Sequence, residues 1–171
     1  MILLIRGLPG SGKTYFAKEY LKEHPDFVHI ESDVWFEREV IENGNPRIVY
    51  DFIPAELTVA HLRCTILTEY YLKQGRNVIV SNTFTTTAEC APYFVLAIKY
   101  NEEIELKTMA GNFQCIHGVP ELVVEAMKER FEDDEKVMRI KGNSALFPFY
   151  FNSYEAYRFF NEAKAVMHVN D

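Results

Sequence analysis

The sequence predicts an α/β fold in three layers, a parallel sheet of four to five strands with helices on both faces. Three observations predict it. Short, mostly apolar runs at residues 2–5, 27–30, 77–80 and 104–109 have the length and composition of buried strands. Helix-length patterns separate these runs, and chains that alternate in this way build parallel sheets with right-handed crossovers. The first run leads straight into Gly7-Leu8-Pro9-Gly10-Ser11-Gly12-Lys13-Thr14, a match to the phosphate-binding loop G-x-x-x-x-G-K-[ST].

The chemistry of that loop explains its residue types. Backbone N–H groups can ring a phosphate only where the chain curls tightly, and Gly7, Gly10 and Gly12 permit the curl. Lys13 would reach the β- and γ-phosphates, and the Thr14 hydroxyl would ligate Mg²⁺. Helix formers follow from Tyr15 to Leu21, so the loop opens onto a helix N-terminus that favours anions. Gly7, Leu8, Pro9, Gly10, Ser11, Gly12, Lys13 and Thr14 are therefore the expected nucleotide-binding residues, for a nucleoside triphosphate with Mg²⁺.

The remaining elements follow in order. The first helix should end near His24-Pro25, and the strand at 27–30 leads into Glu31-Ser32-Asp33. Residues 34–41 could be a helix, followed by a loop at Asn43-Gly44-Asn45-Pro46. A long helical pattern spans 54–74, with Pro54 at its first position and Gly75 just past its end. The strand at 77–80 runs into Ser81-Asn82-Thr83, and Thr86 with Glu89 has capping-box spacing for a helix reaching Tyr100. The run at 104–109 partly alternates, as an edge strand does. Residues 110–119 lack a period and read as a lid, and Pro120 opens an amphipathic helix through Leu122, Val123, Ala126 and Met127. Residues 143–171 form a C-terminal extension rich in Phe and Tyr, expected as a helix packed on the body or as a surface for a second copy or a protein partner.

Length and composition bound the function. The 171 residues fit a single domain, 1–171, and 48% hydrophobic with 14% aromatic content excludes disorder. No apolar run approaches bilayer length, and Met1 leads directly into the first strand, which leaves no room for a signal peptide. Cys64, Cys90 and Cys115 are odd in number and widely spaced, as free thiols of a reducing cytoplasm are. A net charge of -7 opposes non-specific binding to long nucleic acid.

Outside the loop, Asp33 carries the most chemistry. At the carboxyl end of the second strand it would accept a proton from an attacking hydroxyl, hold Mg²⁺ through water, or cap a helix starting at Val34. Asn82 and Thr83 occupy the equivalent end of the third strand, as substrate ligands or as turn residues. Cys115 and His117 are too few for zinc, and His29 and His61 read as structural or surface residues.

Arg6 to Thr14, Glu31-Ser32-Asp33, Ser81-Asn82-Thr83, Ile116-His117-Gly118-Val119 and Met127-Lys128-Glu129-Arg130-Phe131, in this order, resemble the polynucleotide kinase-type P-loop family over roughly residues 1–135. The resemblance implies a P-loop kinase fold, a general base at Asp33 and an acceptor pocket at Asn82 and Thr83. It implies ATP- and Mg²⁺-dependent transfer to a hydroxyl, a nucleic-acid 5′-hydroxyl first and a nucleoside or other small alcohol second. The family's lid carries arginines that clamp the transferring phosphate. Here residues 111–117 contain none, and Phe36 stands near the place of an acceptor-side arginine. A nucleotide-binding switch or interaction protein with slow ATPase activity is the alternative, and an arginine from a second subunit would reconcile the lid with catalysis.

Overall fold

The computed structural model describes residues 1–42, 44–113 and 118–142. In chain order the elements are β1 (Ile2–Arg6), α1 (Lys13–Glu23), β2 (Phe27–Ile30), β3 (Glu37–Glu42), β4 (Asn45–Tyr50), α2 (Leu57–Lys73), β5 (Asn77–Ser81), α3 (Thr87–Tyr100), β6 (Ile104–Thr108), α4 (Glu121–Glu129) and α5 (Asp134–Met138). Short 3₁₀ turns occupy Asp33–Phe36, Pro54–Glu56 and Arg139–Gly142.

β1 is buried along its whole length, as an uninterrupted apolar run demands. β5 and β6 flank it in parallel, with Ile2 opposite both Val78 and Ile104. β2 pairs with the far side of β5, so the order is β2-β5-β1-β6 and β6 is an edge, as its partial alternation predicts. Alternate side chains of β1 feed two cores. Ile2 and Leu4 join Val78, Val80 and Ile104 beneath α2, α3 and α5, while Leu3 and Ile5 join Phe27 and Ile79 beneath α1. Each fully buried Ile, Leu or Val contributes roughly 1.5–3 kcal/mol, so the helices are held mainly by this sheet. The result is the expected three-layer P-loop kinase fold, with four strands in the parallel sheet.

Arg6 ends β1 and is fully buried. Its guanidinium donates to the carbonyls of Glu132 and Thr85 at 2.8 and 3.4 Å, pairs with Asp134 at 3.0 Å, and lies 4.1 Å from the centre of the Phe131 ring. A buried cation is tolerated only when paired and hydrogen-bonded, and these partners engage both terminal nitrogens, leaving only Nε without a hydrogen bond among the described residues. They also dock residues 131–134 against the carboxyl edge of the sheet. From there the Glu132 carboxylate accepts from the backbone N–H and the hydroxyl of Thr87, capping α3. The predicted Thr86–Glu89 capping box is therefore not made. Thr86 holds the cap position without a side-chain bond, and Glu89 reaches back to the Thr85 N–H at 2.6 Å instead.

One expected element is corrected. Residues 34–41 are not a helix: after the 3₁₀ turn, β3 and β4 form an exposed antiparallel hairpin in which Glu42 pairs with Asn45. The intervening Asn-Gly dipeptide is a strong two-residue hairpin signal, and β-branched Val40, Ile41, Ile48 and Val49 outweigh the helix-forming glutamates. Phe36 anchors the hairpin, edge-on to Tyr50 and Phe52 at 6.0 and 4.9 Å. α4 forms where expected, yet none of its residues is buried. The expected C-terminal helix and the docking surface at 143–171 lie outside the described residues, as do residues 114–117 of the lid. No helix among the described residues is long and apolar enough to cross a membrane.

Arg6→Met should lower stability by about 2–4 kcal/mol, because two carbonyls lose their donor and Asp134 loses its cation. Urea unfolding would show it as a lower midpoint at an unchanged slope; an unmoved midpoint would mean that Arg6 does not hold residues 131–134 in place.

Candidate active site

The loop between β1 and α1 takes the shape its glycines allow. Gly10 and Gly12 have φ of +77° and +91°, the left-handed region that glycine enters without strain. Space is short as well: a Cβ on Gly12 would stand 3.0 Å from the Phe113 ring. Phe113 also donates its N–H to the Gly10 carbonyl at 2.9 Å, so the root of the lid rests on the loop. Leu8 and Pro9 form the half-buried outer turn. α1 begins at Lys13 and turns its first N–H groups toward the loop. Lys13 Nζ donates to the carbonyls of Gly7 and Leu8, both at 2.9 Å. The Ser11 hydroxyl is buried with no hydrogen-bond partner. A tight loop with a cation, a helix N-terminus, an orphaned buried hydroxyl and no carboxylate fits a triphosphate. ATP bound there would supply a transferable γ-phosphoryl group.

Beside the loop a polar chain crosses from α1 to the ends of β2 and β5. Thr14 Oγ1 donates to Glu31 Oε2 at 2.7 Å, and Ser81 Oγ reaches the same oxygen at 3.3 Å. His29 Nε2 lies 2.6 Å from Ser81 Oγ and 3.7 Å from Glu31. Burial pushes the His29 pKa below its ordinary value, partly offset by the Glu31 charge. A hydroxyl oriented by a carboxylate suits Mg²⁺, which takes one or two protein oxygens together with substrate phosphates. Among the described residues no group of three His, Cys, Asp or Glu could hold a metal alone. Sequence reasoning missed Glu31 as part of this site. The available signal was its place at the carboxyl end of a parallel strand.

Asp33 stands two residues beyond Glu31. Ser32, not Asp33, occupies the cap position of the 3₁₀ turn, so the capping reading of Asp33 is set aside. Asp33 Oδ1 instead accepts from the Tyr50 hydroxyl at 3.2 Å, a contact that only the hairpin could supply. Asn82 is buried, and its Oδ1 accepts from the Ser32 N–H at 2.9 Å, tying β5 to the turn that carries Asp33. Its Nδ2 has no partner of good geometry. Thr83 is half-buried, and its carbonyl accepts from the Gly7 N–H at 3.2 Å. Thus Lys13, Thr14, Asp33, Asn82 and Thr83 all gather at the carboxyl edge of the sheet. Cys64 and Cys90 are free and buried, and burial pushes their pKa values up to about 11 and about 12, so both stay as thiols.

The family model described as an AAA domain matches residues 2–110, well over half of the chain. The chain belongs to the AAA-domain family. Human NEDD4-binding protein 2 is 27% identical to this AAA domain over 154 residues, which is 84% of this chain and 8% of that protein. The solved Pnkp1/Rnl/Hen1 complex contains a chain that superposes on the AAA domain with a TM-score of 0.50 at 20% identity, covering 78% of this chain and 39% of that one. A chain of the Pnkp1/Rnl/Hen1 RNA repair complex gives 0.48 at 18% identity, covering 88% and 45%. The AAA domain thus spans less than half the length of each of these proteins. Family membership rests on the AAA-domain match, and the likeness to the first of these solved structures is one of fold, a P-loop domain whose loop and strand ends form the site described above.

Lys13→Ala should abolish binding of a fluorescent ATP analogue while the circular dichroism spectrum stays native, since Lys13 is placed as a point charge for phosphate. Glu31→Gln removes the anionic acceptor of the Thr14 hydroxyl and should raise the Mg²⁺ concentration needed for half-maximal ATP binding roughly tenfold. An unchanged Mg²⁺ titration would separate Glu31 from the metal site.

Proposed function

We propose that this AAA domain transfers the γ-phosphoryl group of ATP, with Mg²⁺, to the hydroxyl of a nucleic-acid 5′ end or a nucleoside. The observation that carries the proposal is Asp33: a carboxylate at the sheet's carboxyl edge, two residues from the Glu31–Thr14 pair and held by the Tyr50 hydroxyl. A group so placed is suited to taking a proton from an acceptor hydroxyl.

In this reading the backbone of residues 7–12 and Lys13 hold the triphosphate, and Thr14 holds Mg²⁺. Asn82 and Thr83 border the acceptor. The acceptor oxygen forms a bond to the γ-phosphorus as the bond to the β-phosphate oxygen breaks. The hydroxyl proton passes to an Asp33 carboxylate oxygen, and ADP leaves with the electron pair. Tyr50 orients that carboxylate, so the hairpin becomes part of the active site. Reduced, buried cysteines agree with a cytoplasmic setting. The single-domain reading of residues 1–171 belongs to the same proposal.

A slow ATPase switch is the second reading, favoured by one observation: the described lid residues include no arginine. An arginine that meets the transferring phosphate can be worth on the order of 10³ to 10⁵ in rate.

Asp33→Asn keeps the side chain's size and a bond to Tyr50 but removes its basicity. With radiolabelled ATP and a panel of 5′-hydroxyl oligonucleotides and nucleosides, transfer should fall by roughly 10²- to 10⁴-fold while ATP affinity persists. Release of free phosphate alone, equal in wild type and variant, would establish the switch.

A further inference from the structure

α2 and α3 leave a cavity of about 190 Å³ beside the carboxyl end of β5, lined by His61, Thr65, Phe84, Glu89, Pro92 and Tyr93 among others. Several features of its wall are unusual for a packing void. The His61 ring is half-buried and makes no hydrogen bond among the described residues, yet the charges of both Glu89 and Asp33 reach it. Burial pushes its pKa below the ordinary value, so near neutral pH the ring offers one donor and one acceptor.

Phe84 is buried at φ +44°, a left-handed conformation that costs an aromatic residue on the order of 1–3 kcal/mol and is characteristic of functional sites. Its ring meets Tyr93 edge-on at 5.3 Å, so the strain helps to build an aromatic wall. Pro92 lies inside α3 and lacks an N–H, which deprives the Ala88 carbonyl of its usual helical donor. Both Pro92 and Ala88 line the cavity.

Charge and size then select the occupant. Among the described residues no lysine or arginine lines the cavity, one wall carries Glu89, and Asp33 lies within electrostatic reach of His61, while the nearby Arg130 guanidinium donates to Thr85 Oγ1 at 2.9 Å. Phosphate groups are disfavoured there. The volume is below the roughly 300 Å³ at which ordinary ligand pockets begin, enough for one ring system and not for a run of nucleotides. Phe84 follows Asn82 by two residues, which sets the cavity next to the edge where Asp33 stands.

We propose that this cavity receives the ring of the phosphoryl acceptor, and that the acceptor is an uncharged nucleoside whose base hydrogen-bonds to His61 and the Ala88 carbonyl while its hydroxyl faces Asp33. This rests on the phosphotransfer reading above and narrows it. Specificity comes from the neutral polar groups and aromatic walls between α2 and α3, in place of a phosphate track.

The test uses the full chain with ATP, the ribonucleosides adenosine, guanosine, cytidine and uridine, and a 5′-hydroxyl oligonucleotide. In the wild type at least one nucleoside should be phosphorylated with a higher kcat/KM than the oligonucleotide. His61→Leu should raise the nucleoside KM about tenfold, the worth of one hydrogen bond, with the Kd for ATP unmoved. His61→Gln should recover most of the loss. Ala88 is exposed at the rim, so Ala88→Trp blocks the cavity without entering the core and should raise the same KM at least as much.

Transfer to the oligonucleotide alone would overturn the nucleoside pocket and leave the kinase reading intact. An unmoved nucleoside KM in folded Ala88→Trp would do the same. If the wild type phosphorylates nothing, saturation-transfer NMR with the four nucleosides decides. Binding that Ala88→Trp removes keeps the pocket while the kinase reading falls, and no binding overturns the pocket too.

Discussion

Everything that can touch a nucleotide here leaves the sheet at one edge because β1 lies between two parallel neighbours. Its hydrogen-bonding groups are spent on β5 and β6, and its side chains on two cores, so its carboxyl end is a rigid starting point for the phosphate loop. Parallel pairing then brings the carboxyl ends of β2 and β5 to the same edge. Glu31, Asp33, Ser81, Asn82 and Thr83 converge there with no need for neighbouring positions in the chain. Arg6 adds a second bond to this edge, binding residues 131–134 to it through a buried guanidinium.

The edge is electrically divided. On the phosphate side stand Lys13 and the N-terminus of α1. Glu31 stands against Thr14 in the first turn of α1, and beyond it lie Asp33 and Glu89, whose charges reach a His61 kept neutral by burial. Such a division suits a reaction that gathers negative charge at the loop and removes a proton beside it.

Rigidity is unevenly distributed. The sheet and the helices α1, α2 and α3 share the buried residues, whereas the hairpin of β3 and β4 is exposed along nearly its whole length and depends on Phe36, Tyr50 and Phe52 for attachment. α4 buries none of its residues among those described. Elements with few buried contacts open at low free energy, and the hairpin delivers Tyr50 to Asp33. The Asp33 carboxylate is therefore held between a buried strand end and a hairpin with few buried contacts.

The sequence alone determined the phosphate loop, the four parallel strands and their helices, because each is announced by local signals: glycines at fixed offsets, apolar runs of strand length, Pro54 and Gly75 bracketing a helical pattern. It also pointed to Asp33, Asn82 and Thr83, since strand ends are readable from the runs themselves. It misread residues 34–41, where Glu37 and Glu39 favour a helix, Val40 and Ile41 favour a strand, and the outcome depends on pairing with a strand beyond the turn. Only the tertiary structure decided that Arg6 would be buried, that Glu132 would cap α3 from 45 residues away, and that Glu31 would face Thr14. It alone left the His61 ring with no hydrogen bond among the described residues, in the cavity wall that a strained Phe84 shares. These are contacts between residues remote in the chain, and a periodicity of two or 3.6 residues carries no information about them.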